Sequence, residues 1–311
     1  MNQLVGILKA TTGLATATES RPLVQCRVSV IMVVYRTGPA LMSSLQHVLD
    51  EALVDDFIIV DNGSPEEDEI LLRSIAEREP KVQLIQGHGN VGFARGANMG
   101  AKAAKGRALV FLNPDAFLQP DCIRQLVLAT DGQPSPCIVG ARVLNKDGTE
   151  QRGSRRGEVS PLTTILTFSH LASRIPGLSR FEIHREKQPL PAGPIAVPTV
   201  SGACFCTSQL DFERLGGFDE GYFLHVEDID LCWRARRMGG TVIFQPHAEV
   251  IHLGSTSLTH PVKVEYWKGL GLARYFRKRA DNPWRRISAT LMSPLILLVS
   301  VLRPLLRRRQ R

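Results

Sequence analysis

The stretch ALVFLNPDAFLQP, from Ala108 to Pro120, begins as a continuous apolar run and stops at Asn-Pro-Asp. A run without polar alternation is typical of a strand that is buried on both faces of a sheet. Asn113, Pro114 and Asp115 are also common turn residues, and taken alone they indicate only that the strand ends here. The alternative is that the strand ends where the Asp115 carboxylate faces a ligand.

Four similar apolar runs lie along the first half of the chain, at 26–35 (CRVSVIMVVY), 56–64 (DFIIVDNGS), 82–87 (VQLIQG) and 137–143 (CIVGARV). The segments between them have helical patterns. Strands that alternate with helices at this spacing predict an α/β fold with a doubly wound, mostly parallel sheet. Ligands of such sheets bind beyond the carboxyl ends of the strands. Asp61, the glycine-rich turn 89–100 and Asp115 are therefore expected to share one edge.

The second half of the chain is less regular. Residues 145–195 are rich in Arg, Pro, Ser and Gly and predict a long, partly ordered connection. The stretch TVSGACFCTS (199–208) predicts a strand, and HVEDIDLCWRARRMGG (225–240) predicts a helix with acids in its first turn and basic residues in its last. An apolar segment then leads to His252.

The charge is distributed unevenly. The formal net charge is +8, but Lys263–Arg311 holds 13 Lys/Arg and 2 Asp/Glu, which leaves −3 for the rest of the chain. The six cysteines form no C-x-x-C pair and predict buried thiols in a reducing compartment. Residues 1–25 lack the charged start and long apolar core of a signal peptide and predict a loose leader. We therefore expect a cytoplasmic protein.

Residues 261–311 predict a basic helical tail that associates with a membrane. A basic amphipathic segment is followed by 20 residues, Ile287 to Leu306, in which Arg303 is the only charge. Twenty residues can span a bilayer, but Arg303, Pro294 and Pro304 favour a helix that lies in the interface with Arg side chains on anionic headgroups. A transmembrane helix is the alternative. The apolar block argues against a nucleic-acid-binding tail.

Three patterns indicate chemistry, and each has an ordinary structural alternative. Glycines in 89–100 let backbone approach a phosphate-like ligand beside Arg95, or they allow tight helix packing. Glu227 and Asp228 at a helix start suit a general base, although acids are common at helix N-termini. His252 after an apolar strand is a structural histidine or a metal ligand.

The ordered set of motifs resembles that of the bacterial family two inverting glycosyltransferases, with the rhamnosyltransferase-like branch nearest. The motifs that carry the resemblance, over about residues 28–257, are VDNGS, GNVGFARGANMG, LNPDA, VSGACF, GGFDEGYFLHVEDIDLCWRARRMG and IHLGSTS. The resemblance implies a GT-A fold for residues 26–260. Residues 26–145 would form the nucleotide-sugar half, and residues 196–260 would form the acceptor and base half.

The resemblance also implies roles for individual residues. Asp228 would be the catalytic base, with Glu227 as the alternative assignment. Gly202 and Trp233 would contact the acceptor, although core packing is the alternative for Trp233. Asp115 and His252 would hold Mg²⁺ or Mn²⁺. The residues that would contact the donor are Asp61, Asn62, Asn90, Gly92, Arg95, Asn98, Asn113 and Asp115.

The function implied is transfer of L-rhamnose from dTDP-rhamnose, with inversion, to a lipid-linked or cell-surface glycan precursor. The protein would lie peripherally on the inner leaflet of the cell membrane, bind a nucleotide-sugar donor and a glycan or polyprenyl-linked acceptor, and bind no nucleic acid. Other donors such as a UDP-hexose, a nucleotidyltransferase and a non-catalytic membrane-bound protein of the same fold are the alternatives. Asn113 stands where the family's D-x-D motif has its first carboxylate, so the strength of metal dependence is left open, as is the oligomeric state.

Overall fold

The computed structural model describes residues 27–307, except 170, 176, 255 and 257–258. The predicted leader 1–25 and Cys26 lie outside the described residues. The strands are β1 Val28–Val34, β2 Val54–Asp61, β3 Val82–Ile85, β4 Ala108–Leu112, β5 Ala116–Leu118, β6 Cys137–Leu144, β7 Arg155–Arg156, β8 Ile195–Ala196, β9 Thr199–Val200, β10 Cys204–Ser208 and β11 Thr241–His252. The helices are α1 Ala40–Leu49, α2 Glu66–Arg78, α3 Phe93–Ala103, α4 Cys122–Leu128, α5 Pro161–Phe168, α6 Leu171–Arg174, α7 Gln209–Arg214, α8 Glu227–Arg237, α9 Pro261–Arg279 and α10 Pro283–Arg307.

Nine strands form one mixed sheet in the order β3-β2-β1-β4-β10-β6-β11-β5, with β8 paired to β11. Six of them point the same way, because β10 runs antiparallel to both of its neighbours, β4 and β6, while β5 and β8 run antiparallel to β11. Helices cover both faces: α1, α2 and α4 pack on one apolar layer, and α3, α7 and α8 pack on the other. The doubly wound, mostly parallel sheet that the sequence predicts is confirmed.

The sheet brings several strand ends to one edge. Strand β2 ends at Asp61, and β4 ends just before Asn113. Strand β11 pairs with β5 so that His252 lies opposite Ala116, and this register places His252 beside Asp115. The polar residues that follow the buried strands therefore collect where a ligand of this fold binds.

The connection 145–195 contains more structure than a loop. It includes β7, α5, α6, a 3-10 turn at Ser179–Phe181 and β8. Strand β7 pairs with β9 in a separate two-stranded sheet. The pattern of small and charged residues predicts partial order but does not predict these short elements, since each depends on contacts with distant parts of the chain.

Helix α9 packs against the segment 219–230 through ion pairs and an aromatic stack. Lys278 Nζ lies 2.8 Å from carboxylate oxygens of both Asp219 and Asp230. The Trp267 ring stacks on Phe223 with 4.4 Å between ring centroids. Helix α10 packs along α9, and its segment Pro283–Leu302 is long and apolar enough to cross a membrane, with a mean hydropathy of 1.5.

Candidate active site

The centre of the site is the pair Asp115 and His252. His252 Nε2 lies 3.1 Å from Asp115 Oδ1, and Thr256 Oγ1 donates a hydrogen bond to Asp115 Oδ2 (3.0 Å). The Asp115 residue is 6% exposed. Burial pushes the pKa of Asp115 up, but the hydrogen bonds from His252 and Thr256 outweigh burial and hold this pKa below its ordinary value.

Gln151 fixes the orientation of the His252 ring. The Gln151 amide nitrogen donates to the carbonyl oxygen of His252 (2.9 Å), so its amide oxygen is the atom that accepts from His252 Nδ1 (2.8 Å). With Nδ1 protonated, Nε2 faces Asp115 in one of two ways: it carries a proton and donates it to the carboxylate, or it turns its lone pair toward a cation. Two acceptors 3.1 Å apart are stable together only with a proton or a cation between them.

The atoms around this pair fit a divalent cation. A carboxylate oxygen and an imidazole nitrogen suit Mn²⁺, and the carboxylate suits Mg²⁺. The Asn113 side-chain nitrogen lies 3.2 Å from His252 Nε2, so this amide adjoins the pair, but its NH2 group is a hydrogen-bond donor and not a metal ligand. No group of three or more His, Cys, Asp or Glu side chains gathers anywhere in the described part of the chain. A metal held here would therefore depend on ligand oxygens to complete its coordination.

The end of β2 forms a turn that is tied to the glycine-rich loop. Asp61 is buried, and its Oδ1 accepts from the backbone N–H groups of Gly63 and Ser64. Asn62 donates to the Gly92 carbonyl (3.0 Å), and its Oδ1 lies 3.0 Å from His88 Nε2. The turn chemistry that the sequence indicates is thus present, and it holds the two predicted donor-contacting segments against each other.

The glycine-rich loop is closely packed. Asn90 Oδ1 accepts from the N–H of Gly92 and shapes the turn. Gly92 has φ +86°, and a Cβ there would lie 2.7 Å from the carbonyl oxygen of Phe223. Arg95 stays exposed, 3.9 Å from Glu220. The packing alternative therefore accounts for Gly92, whereas the Arg95 side chain extends into solvent, where a ligand can reach it.

Asn98 bonds to the protein rather than toward open solvent. Its Oδ1 accepts from the Phe218 N–H (2.8 Å), and its Nδ2 donates to the Phe218 carbonyl and to Glu220. These bonds use both ends of the amide. Asn98 thus holds the loop that leads to α8, and the direct donor contact that the resemblance implies stays a prediction.

The two acids of the predicted base open helix α8 behind a strained turn. His225 and Val226 have φ angles of +67° and +76°, in the left-handed region that a β-branched residue rarely adopts. Asp228 Oδ2 accepts from Arg156 Nη1 (3.0 Å) and from the Gly202 N–H (3.1 Å). Backbone strain that persists beside a held carboxylate is typical of a functional site.

Glu227 and Asp228 have different surroundings. Burial, and next the charge of Asp228, raise the pKa of Glu227 to about 8. Glu227 Oε2 has no hydrogen-bond partner among the described residues. Burial, and next the positive charge of Lys268, lower the pKa of His225 to about 4. Since Glu227 is buried and Asp228 is partly exposed, Asp228 is the one that an incoming hydroxyl can reach more readily.

Arg156 is a site residue that the sequence did not reveal. It belongs to β7 in the connection 145–195, and its Nε donates to the Gly153 carbonyl while its Nη1 holds Asp228. The arginine pair of RGSRRG was a visible signal, but only the pairing of β7 with β9 brings Arg156 to the start of α8. Gln151 was missed for the same reason.

Trp233 lies in the core. It is 9% exposed, meets Tyr275 of α9 edge-on, and is covered by the Arg237 guanidinium. This is the packing alternative, and it leaves no open ring face for stacking on an acceptor sugar. Gly202 lies beside the predicted base, because its N–H donates a hydrogen bond to the Asp228 carboxylate, and its contact with an acceptor stays a prediction.

The family model that matches this chain is Glycosyl transferase family 2, over residues 29–209. The match spans more than half of the chain. The chain belongs to glycosyl transferase family 2. The predicted resemblance to this family is thereby confirmed.

The curated relatives have low sequence identity to this chain, but their alignments cover most of it. The N-acetylglucosaminyl-diphospho-decaprenol L-rhamnosyltransferase of Mycobacterium tuberculosis is 26% identical over 237 residues, 72% of this chain and 75% of that protein. The low-salt glycan biosynthesis hexosyltransferase Agl10 of Haloferax volcanii is 27% identical over 213 residues, 67% of this chain and 61% of that protein. This chain thus spans less than two thirds of the length of the haloarchaeal relative.

Among solved structures, the crystal structure of GalNAc-T7 with UDP, GalNAc and Mn²⁺ has a TM-score of 0.59 to this family 2 member at 18% identity. The alignment covers 81% of this chain and 48% of that one. At this identity the likeness shows the fold alone, and it confirms the GT-A fold that the resemblance implies.

Proposed function

We propose that this protein transfers L-rhamnose from dTDP-rhamnose, with inversion, to a lipid-linked glycan precursor at a membrane surface. The observation that carries the proposal is a backbone link between two parts of the site: the pair Asp115 and His252, and the proposed base Asp228. Gly202 donates its N–H to Asp228, and the next residue, Ala203, accepts a hydrogen bond from the Asn113 N–H (2.9 Å). The Gly202–Ala203 backbone thus joins the carboxylate that takes a proton to the edge that holds a diphosphate.

The reaction requires one displacement. An acceptor hydroxyl attacks the anomeric carbon, the bond from that carbon to the diphosphate oxygen breaks, and the nucleoside diphosphate leaves with the bonding electrons. The hydroxyl proton passes to Asp228, which Arg156 and Gly202 hold in place. When bound by Asp115 and His252, Mg²⁺ or Mn²⁺ would supply positive charge for the leaving diphosphate.

The donor and acceptor are supported by relatives. The mycobacterial relative is named for transferring L-rhamnose to a decaprenol-linked diphosphate sugar. The haloarchaeal relative is named only as a hexosyltransferase, so a different hexose donor is the competing assignment. A binding protein without activity would not need a buried, high-pKa Glu227 or an oriented Asp228, and these features favour an enzyme.

The membrane location is supported by helix α10. Its outer face exposes Trp284 (81%), Leu291 (75%) and Leu295 (60%), and an apolar face of this length suits the acyl boundary of a bilayer. Of the cations of α9, Arg274 and Lys278 pair with Asp219 and are therefore engaged within the protein. Exposed Arg286 at the start of α10 is the better-placed cation.

A donor screen tests the function. Purified protein is given a panel of nucleotide sugars with a polyprenyl-diphosphate-linked N-acetylglucosamine, and release of nucleoside diphosphate is measured with and without EDTA. Release with dTDP-rhamnose that depends on the acceptor and stops in the Asp228→Asn variant supports the proposal. Release with another donor alone would reassign the sugar, and no release with any donor would overturn the enzymatic proposal.

A further inference from the structure

Helix α5 has its polar and apolar faces inverted relative to a helix of a soluble protein. Thr163, Thr164 and Thr167 are buried, whereas Leu162 (56%) and Ile165 (52%) face outward. Burial of Thr167 serves the fold, since its Oγ1 accepts from the Ile183 N–H. A surface helix normally turns its apolar residues toward the core, so the outer face of α5 is built for a nonaqueous neighbour.

The exposed stripe continues past α5. Phe168 follows Ile165 at a spacing of three, and the segment containing α6 exposes Leu171 and Ile175 while it buries Ala172. Arg174 is exposed within the same segment. A run of exposed apolar side chains with a cation beside it has the composition of a segment that lies in the headgroup region of an anionic membrane.

Helix α10 shows the same inversion. Its buried residues are small, Ala289 and Ser300, and a Cβ added at Gly269 of α9 would lie 3.0 Å from Ser300. Small residues thus mediate the close contact between α9 and α10, while large apolar residues such as Leu291 face outward. Packing through small residues with large ones outside is the arrangement that helices adopt in lipid.

The two inverted elements belong to one packed unit. Val159, two residues before α5, shares a core cluster with Ala289 of α10 and with Tyr275 of α9. Arg279, the last residue of α9, donates a hydrogen bond to the Val159 carbonyl and pairs with Glu158. The start of α5 is therefore fixed beside the point where α9 gives way to α10.

We propose that the apolar stripe of α5 and α6, formed by Leu162, Ile165, Phe168, Leu171 and Ile175, is a second membrane-binding element that contacts an anionic bilayer together with α10. This inference rests on the proposed membrane location. One anchoring helix would let the catalytic domain swing about its contact. Two contacts from one packed unit fix the face that the domain presents to the bilayer, and with it the approach of a lipid-linked acceptor.

Fluorescence quenching by brominated lipids tests the stripe. Ile165→Trp is placed in a Trp284→Phe background, so that α10 keeps an apolar side chain but no longer reports. The matched control is Ile70→Trp in the same background, because Ile70 is also an exposed apolar residue (61%) and lies on α2 in the nucleotide half. Each protein is mixed with phosphatidylglycerol–phosphatidylcholine vesicles whose acyl chains carry bromine.

We expect the indole introduced by Ile165→Trp to be quenched about as strongly as native Trp284 is in the wild-type protein, and the indole introduced by Ile70→Trp to be unaffected. In a second arm, Leu162→Ser with Ile165→Ser should weaken vesicle binding roughly tenfold or more, from the apolar area that these half-exposed side chains contribute. The protein should bind vesicles without anionic lipid more weakly, since Arg174 and Arg286 then have no anionic headgroup to pair with.

Three results would overturn the inference, and they differ in what else they affect. Quenching of Trp284 in the wild type without quenching in the Ile165→Trp variant would show that α10 binds alone, and the proposed membrane location would stand. Quenching in neither protein would refute the membrane location as well. The third result would be obtained without vesicles. If the Ile165→Trp variant then has twice the mass of one chain and its introduced indole is shielded from solvent, a second copy of the chain covers the stripe.

Discussion

Replacing Glu227 with Gln should make the protein more stable at neutral pH, although Glu227 lies in the candidate active site. Burial, followed by the charge of Asp228, raises the pKa of Glu227 from its ordinary 4.5 to about 8. A carboxyl with a raised pKa is stabilising only while it is protonated. Its contribution is complete below pH 4.5 and is lost as the pH rises toward 8, because the unfolded chain ionises first.

The magnitude follows from the same shift. Each pH unit between the two pKa values changes the free energy of unfolding by about 1.4 kcal/mol, so the loss between about pH 4.5 and pH 7 is about 3 kcal/mol. Gln has nearly the shape of the protonated acid and does not ionise. The free energy of unfolding of the Glu227→Gln variant should therefore gain about 3 kcal/mol on the wild type over this range.

Urea unfolding at pH 5, 6, 7 and 8 measures this difference. A change in local hydrogen bonding shifts the variant's free energy of unfolding by the same amount at each pH. The test is therefore how the difference in free energy between the variant and the wild type changes with pH. Glu213→Gln, at an exposed position on α7, is the control and should show a flat difference. A flat difference for Glu227→Gln as well would refute the assignment of a buried, proton-holding carboxyl beside Asp228.

Four further changes test the site and the surface. Asp228→Asn should lower transfer by roughly 10²–10⁴-fold while titration calorimetry shows unchanged donor binding; weakened donor binding would contradict its role as the base. Arg156→Gln should lower kcat with little change in donor affinity, and a change confined to KM would argue against positioning. Gln151→Leu should raise the Mn²⁺ concentration needed for activity by roughly 10–100-fold, since it frees the imidazole that Gln151 orients; an unchanged requirement would count against the metal site. Leu291→Ser with Leu295→Ser should weaken sedimentation with anionic vesicles by roughly tenfold or more, and unaltered sedimentation would refute the α10 anchor.

The strands in the first half of the chain, such as β1 and β4, could be predicted because their unbroken apolar sequences indicate burial on both faces. All seven residues of β1 and all five of β4 are buried, so neither strand has a polar face to interrupt the apolar run. Helix α2 begins with four acids in succession, which agrees with the charged helix that the sequence predicts there. In this half, local composition and tertiary environment indicate the same structure.

The position and direction of β10 could not be predicted. Its sequence, CFCTS, is as apolar as that of a parallel strand, but β10 inserts between β4 and β6 and runs antiparallel to both. Strand direction is set by where the chain enters the sheet, and that depends on the path of the preceding connection. Strand β5 has three residues and was missed because no periodicity can be recognised over so short a length.

The candidate site divides in the same way. Asp115 and His252 could be identified because each ends an apolar strand, and the register of β11 with β5 brings them together. Arg156 and Gln151 could not, because both lie in a connection whose composition suggests a loop. Their importance comes from single contacts across the sequence: Arg156 reaches Asp228, 72 residues away, and Gln151 reaches His252, 101 residues away.

Helix α9 explains how the strained turn before α8 persists. A Cβ added at Gly271 of α9 would lie 3.0 Å from the His225 carbonyl oxygen, so this glycine lets the helix press directly on the turn. Trp267 stacks on Phe223, and Lys278 pairs with Asp230, on either side of the strained residues. Strain at a functional site persists only when surrounding contacts over-determine it. The helix that the sequence predicts as the beginning of a tail therefore helps to hold Glu227 and Asp228 in place, and it links their position to helix α10, which packs along it.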